Sequence, residues 1–199
     1  MIRIKLNEFR SSITECSYSD ANSISMINDR REVFNFDDIK KEYQKLFPKK
    51  ICGELNSNDV LFENEGKWFF IEFKNGVIDN IKNANIKYKI YDSILILLDI
   101  LNCDLEFCRN NVSYILIFNE QTINDPHYSR QFDREVYLKC YEMNPSNAFE
   151  SIVANVNTLA GNFGRPQFGL GKFENFIFNK VYTIPKFKYH ELMNKILSS

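Results

Sequence analysis

The stretch DVLFENEGKWFFIEFKNG (59–76) decides the reading of this chain. Two apolar runs, VLF and WFFIEF, flank Asn64-Glu65-Gly66, which reads as the turn of a hairpin. Side chains alternate faces along a strand, so Phe69, Ile71 and Phe73 share one face and Phe70, Glu72 and Lys74 the other. An acid and a base therefore stand at the far end of the most apolar strand-like run. With a two-residue turn at Glu65-Gly66, Asn64 opposes Lys67 and Asp59 opposes Glu72. Facing Cβ atoms on paired strands are about 4.5–5.5 Å apart. A three-residue turn with a glycine bulge shifts the pairing by one, and Asp59 must then leave the pleat to meet Glu72. Two carboxylates that close repel unless a proton or a cation lies between them. Charges at the end of a core strand need a partner or a metal. The plainer alternative is a surface ion pair on a sheet edge, worth about 0–1 kcal/mol.

Outward from the hairpin, FDDIKKEYQKLF (36–47) reads as a helix with Ile39, Tyr43, Leu46 and Phe47 on one face, closed by Pro48. Downstream, Ile86, Ile90, Ile94, Leu97 and Leu101 repeat at helical spacing over 84–101, with Leu95 and Leu98 widening the stripe. SYILIFNE (113–120) suits a strand buried on both faces. MIRIKL (1–6) alternates as a short strand, and the polar stretch 11–31 reads as loops around a second one. Residues 119–144 are polar and longer than an ordinary connection, so an insertion is expected over 120–144. A helix is expected over 145–161, a glycine-rich loop over 161–172, a strand over 173–184 and a terminal helix opened by Pro185. The glycine-rich loop lacks the Lys-Ser/Thr ending of a phosphate loop and precedes a strand, which argues for a structural role. There is no internal repeat and no linker. The expected fold is α/β (α+β): one domain over 1–199, a central mixed sheet flanked by helices, a core at about 36–119, and C-terminal accessory elements over 145–199.

The chain has 199 residues, 44% apolar and 26% charged, which suits one soluble globular domain. Its net charge of −1 gives no global attraction to nucleic acid. The last segment, 163–199, is locally basic, with six basic residues against two acidic. Five cysteines with no CxxC, and two distant histidines (His127 and His190), argue against zinc. With no basic-then-apolar leader, and with the longest apolar run broken by Asp99, the expectation is a reduced, cytoplasmic protein without a membrane span.

Asn58-Asp59 before VLF, then Glu72-Phe73-Lys74, then a long helix and an apolar strand together resemble the PD-(D/E)xK phosphodiesterase (restriction-endonuclease-like) superfamily. The resemblance covers roughly residues 36–119, and Asn58 stands where that family usually has Pro. It implies a restriction-endonuclease-like core. Asp59 and Glu72 would be the ligands of Mg²⁺ or Mn²⁺, and Lys74 would position or activate water. It also implies an acid from the preceding helix. Glu42 matches that helix, while Glu54 is nearer in sequence but falls in a loop. The helix after the ExK offers Lys89 and Ser93, four apart and off the apolar stripe, with Lys87 and Tyr91 as another such pair. The implied function is a divalent-metal-dependent nuclease acting on DNA or RNA in defence, mobile-element or repair contexts. Relatives often act as homodimers, and no interface is legible here. Two other readings stay open. One is a nuclease-like module that binds nucleic acid or a protein without cutting. The other is a protein-interaction module whose ExK is a surface pair.

Overall fold

Over the residues that the computed structural model describes (4–19, 23–47, 53–76, 84–119, 166 and 168–198), the chain is an α+β protein. Its strands are β1 (Arg10–Ser12), β2 (Tyr18–Ser19), β3 (Ile24–Ser25), β4 (Glu32–Asn35), β5 (Val60–Asn64), β6 (Lys67–Lys74), β7 (Val112–Phe118) and β8 (Val181–Pro185). Its helices are α1 (Ile13–Cys16), α2 (Phe36–Lys45), α3 (Ala84–Leu101), α4 (Leu105–Asn111) and α5 (Tyr189–Leu197). Six strands form one mixed sheet in the order β1-β4-β5-β6-β7-β8, and β2 pairs with β3 as a small separate hairpin. The pairs from β1 to β6 are antiparallel; β6, β7 and β8 run parallel. Parallel neighbours need a crossover, and α3 lies on the one between β6 and β7.

The hairpin takes the two-residue register: Asn64 faces Lys67 and Val60 faces Ile71. Glu65 (φ 49°) and Gly66 (φ 79°) both adopt left-handed backbone, which a two-residue turn matched to the strand twist demands. The Gly66 N–H donates to Glu63 Oε1 at 2.7 Å. The regular ladder stops at Val60, so Asp59 is free to turn: its carbonyl accepts the Phe36 N–H at 3.1 Å. That bond ties the start of β5 to the start of α2.

Both faces of the sheet are covered. Leu61, Phe70, Tyr114, Leu116 and Phe118 pack under Phe36 and Ile39 of α2 and Ile86, Ile90, Ile94 and Leu97 of α3. Val60, Phe62, Phe69, Ile71, Ile115 and Ile117 pack on the opposite face. Their cover is Ile13, Met26 and Ile27 from the N-terminal segment and Tyr189, Leu192, Met193 and Ile196 of α5. Every residue of β7 is buried, as its nearly continuous apolar run predicts. Fully burying one such Ile or Leu side chain contributes about 1.5–3 kcal/mol, so the two layers supply the main drive for folding. Among the described residues, no helix is long and apolar enough to cross a membrane.

Several expected elements differ. Of the strand expected over 1–6, residues 1–3 lie outside the described residues, residues 4 and 5 join no strand, and a 3-10 turn, Leu6–Phe9, begins at the last position; the first edge strand follows it at Arg10. Leu95 is 63% exposed, and Ile96 takes the buried position on α3. Leu46 is exposed beyond the end of α2. The predicted strand over 173–184 narrows to β8, preceded by turns and one bridge between Glu174 and Phe178. Pro185 opens a 3-10 turn, Lys186–Lys188, and α5 begins only after it. The insertion over 120–144 and the helix over 145–161 lie outside the described residues.

Candidate active site

Strand alternation brings Glu72 onto the face that α3 covers, two residues beyond Phe70. There it is fully buried. Lys74, two residues on, places Nζ 2.7 Å from Glu72 Oε1. Asp59 reaches over the same end of β6: its Oδ2 accepts the Phe73 N–H at 2.7 Å. Lys89 comes from α3 and closes the group. Its Nζ lies 2.8 and 3.0 Å from the two oxygens of Glu72 and 3.2 Å from Asp59 Oδ1. One turn further along α3, buried Ser93 accepts the Asn58 N–H on Oγ at 2.9 Å, so α3 grips the Asn58-Asp59 segment and Glu72 together.

These four residues line or underlie a cleft of about 930 Å³ at the C-terminal ends of β6 and β7. Lys74, Asn75 and Asn119 line it there, and the β2–β3 hairpin lines it with Tyr18 and Ile24. Crevices beyond the carboxyl ends of parallel strands are the usual ligand sites of open α/β sheets. Three polar atoms nearby in the fold are buried without a hydrogen-bond partner among the described residues: both amide atoms of Asn58, next to Asp59 in the chain, and the hydroxyl of Tyr114, which faces Phe70 across β6 and β7. Each unpaired group costs about 1–3 kcal/mol.

The electrostatics follow from burial and proximity. Burial is the main cause that pushes the Asp59 carboxyl up to about 7; Glu72 and Asp37 add to it, while Lys89 and the Phe73 N–H oppose it. Burial pulls the Lys89 ammonium down, but the Glu72 and Asp59 carboxylates outweigh it, and its pKa ends above the ordinary value. Cys16, also on the cleft wall, is pushed up to about 11 mainly by burial, which leaves a neutral thiol at physiological pH.

The sequence-predicted residues divide cleanly by position. Asp59, Glu72, Lys74 and Lys89 come together. Glu42 stays on the outer side of α2, where its Oε2 pairs with Lys45 at 2.9 Å, and Glu54 is an exposed partner of Lys40 at 3.0 Å. Neither lines the cleft. The acid that α2 does present to the cleft is Asp37, in the first helical turn. The Ser57 hydroxyl donates to Asp37 Oδ1. Sequence reasoning missed Asp37 because Asp37-Asp38 has the ordinary look of acids at a helix N-terminus. Pairing of Asn35 with Val60 is what brings that helix start beside Asp59. Of the second polar pair on α3, Tyr91 turns its ring against Phe173.

Whether the residues suit a divalent cation is tested by the ammonium among them. Three carboxylate oxygens, from the start of β5 and the end of β6, converge on one cationic nitrogen. Among the described residues no group of three or more His, Cys, Asp or Glu side chains is placed to hold a metal. A two-carboxylate set fits Mg²⁺, which keeps several waters and takes the rest of its ligands from substrate phosphate. No family model, curated protein or solved structure matches the chain.

Proposed function

We propose that this protein is a divalent-metal-dependent nuclease with a site of the PD-(D/E)xK type on a restriction-endonuclease-like core. The observation that carries the reading is the convergence of Asp59 and Glu72 on one cation seat at the end of a central strand, with Lys74 alongside. Asp59 and Glu72 would hold Mg²⁺ or Mn²⁺. A metal bound there supplies Lewis acidity and lowers the pKa of a coordinated water. Lys74 would orient that water and stabilise charge that develops on the phosphoryl group. The buried wall behind Glu72 keeps bulk water off one side of the site and strengthens every interaction within it. Lys186 on the cleft wall belongs to the basic C-terminal segment. The substrate class is DNA or RNA.

The test is cleavage of plasmid DNA and of RNA in Mg²⁺ or Mn²⁺. Glu72→Gln and Lys74→Met each lower the rate by about 10²–10³-fold, the scale of losing one group that stabilises the transition state. Activity retained in both variants removes the assignment. A second reading is supported by the charge balance: two carboxylates already face two ammonium groups. It describes a nuclease-like module that binds nucleic acid or a protein without cutting, and it predicts no Mn²⁺ binding and no cleavage.

A further inference from the structure

The place that Lys89 occupies has a consequence for how the site fills. Lys74 touches one carboxylate of the pair, on Glu72 Oε1, whereas Lys89 bridges both. Glu72 is fully buried and the Asp59 side chain is 17% exposed, so the pair needs a cation between its members for as long as both are ionised. Magnesium binds carboxylate oxygen at about 2.0–2.1 Å. An ion held by these same oxygens would overlap the Lys89 Nζ, which lies 2.8–3.2 Å from them. One cation or the other can hold the seat. The lysine stem has four rotatable carbons. Lys89 already lines the open cleft and is 23% exposed, so its ammonium has somewhere to go without moving α3.

We propose that Lys89 is a displaceable internal counter-cation: it fills the seat between Asp59 and Glu72 in the resting protein, and yields it to the metal while moving into the cleft toward a substrate phosphate. This rests on the metal-site reading above. Metal binding is then a competition. The free protein binds metal weakly because Lys89 must be expelled. A phosphodiester in the cleft gives the expelled ammonium a new partner, so substrate and metal each tighten the other, and by linkage they do so to the same extent. Lys89 is thus a positioning residue that couples metal loading to the presence of substrate.

Titration calorimetry with Mn²⁺ on the full chain, without nucleic acid, tests this directly. Lys89→Met empties the seat and keeps the apolar stem. It binds Mn²⁺ about tenfold or more tightly than wild type, within the usual 5–150-fold range of such coupling. Lys89→Gln behaves similarly, and Glu72→Gln abolishes binding. Suppose Lys89→Met and Lys89→Gln bind no more tightly than wild type while Glu72→Gln loses the ion: the counter-cation inference is then wrong and the metal site stands. Mn²⁺ that binds neither wild type nor the Lys89 variants at millimolar concentration removes the metal site itself, and the inference with it. Should Lys89→Met be unfolded without metal, circular dichroism decides. Refolding on addition of Mn²⁺ supports the proposal; failure to refold, together with wild-type-like affinity in Lys89→Gln, overturns it.

Discussion

At Asp59 the backbone and the side chain answer to different neighbours. The carbonyl takes the Phe36 N–H, and the carboxylate takes the Phe73 N–H and Lys89. Burial first, and Glu72 next, raise its carboxyl to about 7. An unperturbed Asp titrates near about 3.9, so the folded state holds this proton more tightly than the unfolded chain does. The stabilising contribution is complete below the unfolded value and is lost as pH rises through about 7. In Asp59→Asn that loss disappears. Melting temperatures recorded in chelator from about pH 4 to about pH 8 should therefore shift progressively in the variant's favour as pH rises. Parallel curves for variant and wild type would contradict the assigned environment. Asp59, Glu72 and Lys74 were legible in the sequence because strand alternation and hairpin register are local rules. Lys89 was legible as a polar residue off an apolar stripe, but its bridging position was not, since that depends on how α3 lies across the sheet. Glu42 lies on the flank of the apolar face of its helix, which is as far as periodicity reaches. Periodicity gives the buried face of α2 but not which of its ends meets β5, and that end is where Asp37 stands.

Among the elements, the β5–β6 hairpin sets the geometry of the site, because a one-residue slip would turn Glu72 to the opposite face. Its turn is built from a residue pair that seldom forms two-residue turns. Glu65 sits at φ 49° and Gly66 at φ 79°. A Cβ at Gly66 would meet no atom within 4 Å, so the cost of Gly66→Ala is purely conformational. It amounts to about 1–2 kcal/mol, the left-handed penalty for a residue with a Cβ. Glu65→Asn should act the other way and stabilise by about 0.5–1 kcal/mol, since Asn tolerates this conformation and Asn-Gly is the favoured pair. Urea unfolding of the two variants checks both signs. The helices α2 and α3 and the buried strand β7 were visible in the sequence as long periodic or nearly continuous apolar runs. Of β1 to β4 only one strand, without bounds, was legible within 11–31, because each spans two to four residues and their pairing is decided by distant partners.

For the molecule as a whole, the second face of the sheet is closed by residues 13–29 meeting α5. The Tyr189 hydroxyl of α5 donates to Asp29 Oδ2 at 2.8 Å, across 160 positions of sequence. Tyr189 is fully buried among Ile13, Met26 and Met193, so the bond works in a dry setting. Tyr189→Phe should lower the unfolding free energy by about 2 kcal/mol, in the range for hydrogen bonds to charged acceptors. A urea titration with unchanged slope and a lower midpoint would report that loss. The parallel seam between β7 and β8 carries a cost in time. The chain passes through residues 119–180 before β8 can return to β7. During synthesis a strand that is apolar but for Ser113 therefore emerges long before the segment that pairs with it, and its open hydrogen-bonding side is for that interval available to any other nascent chain.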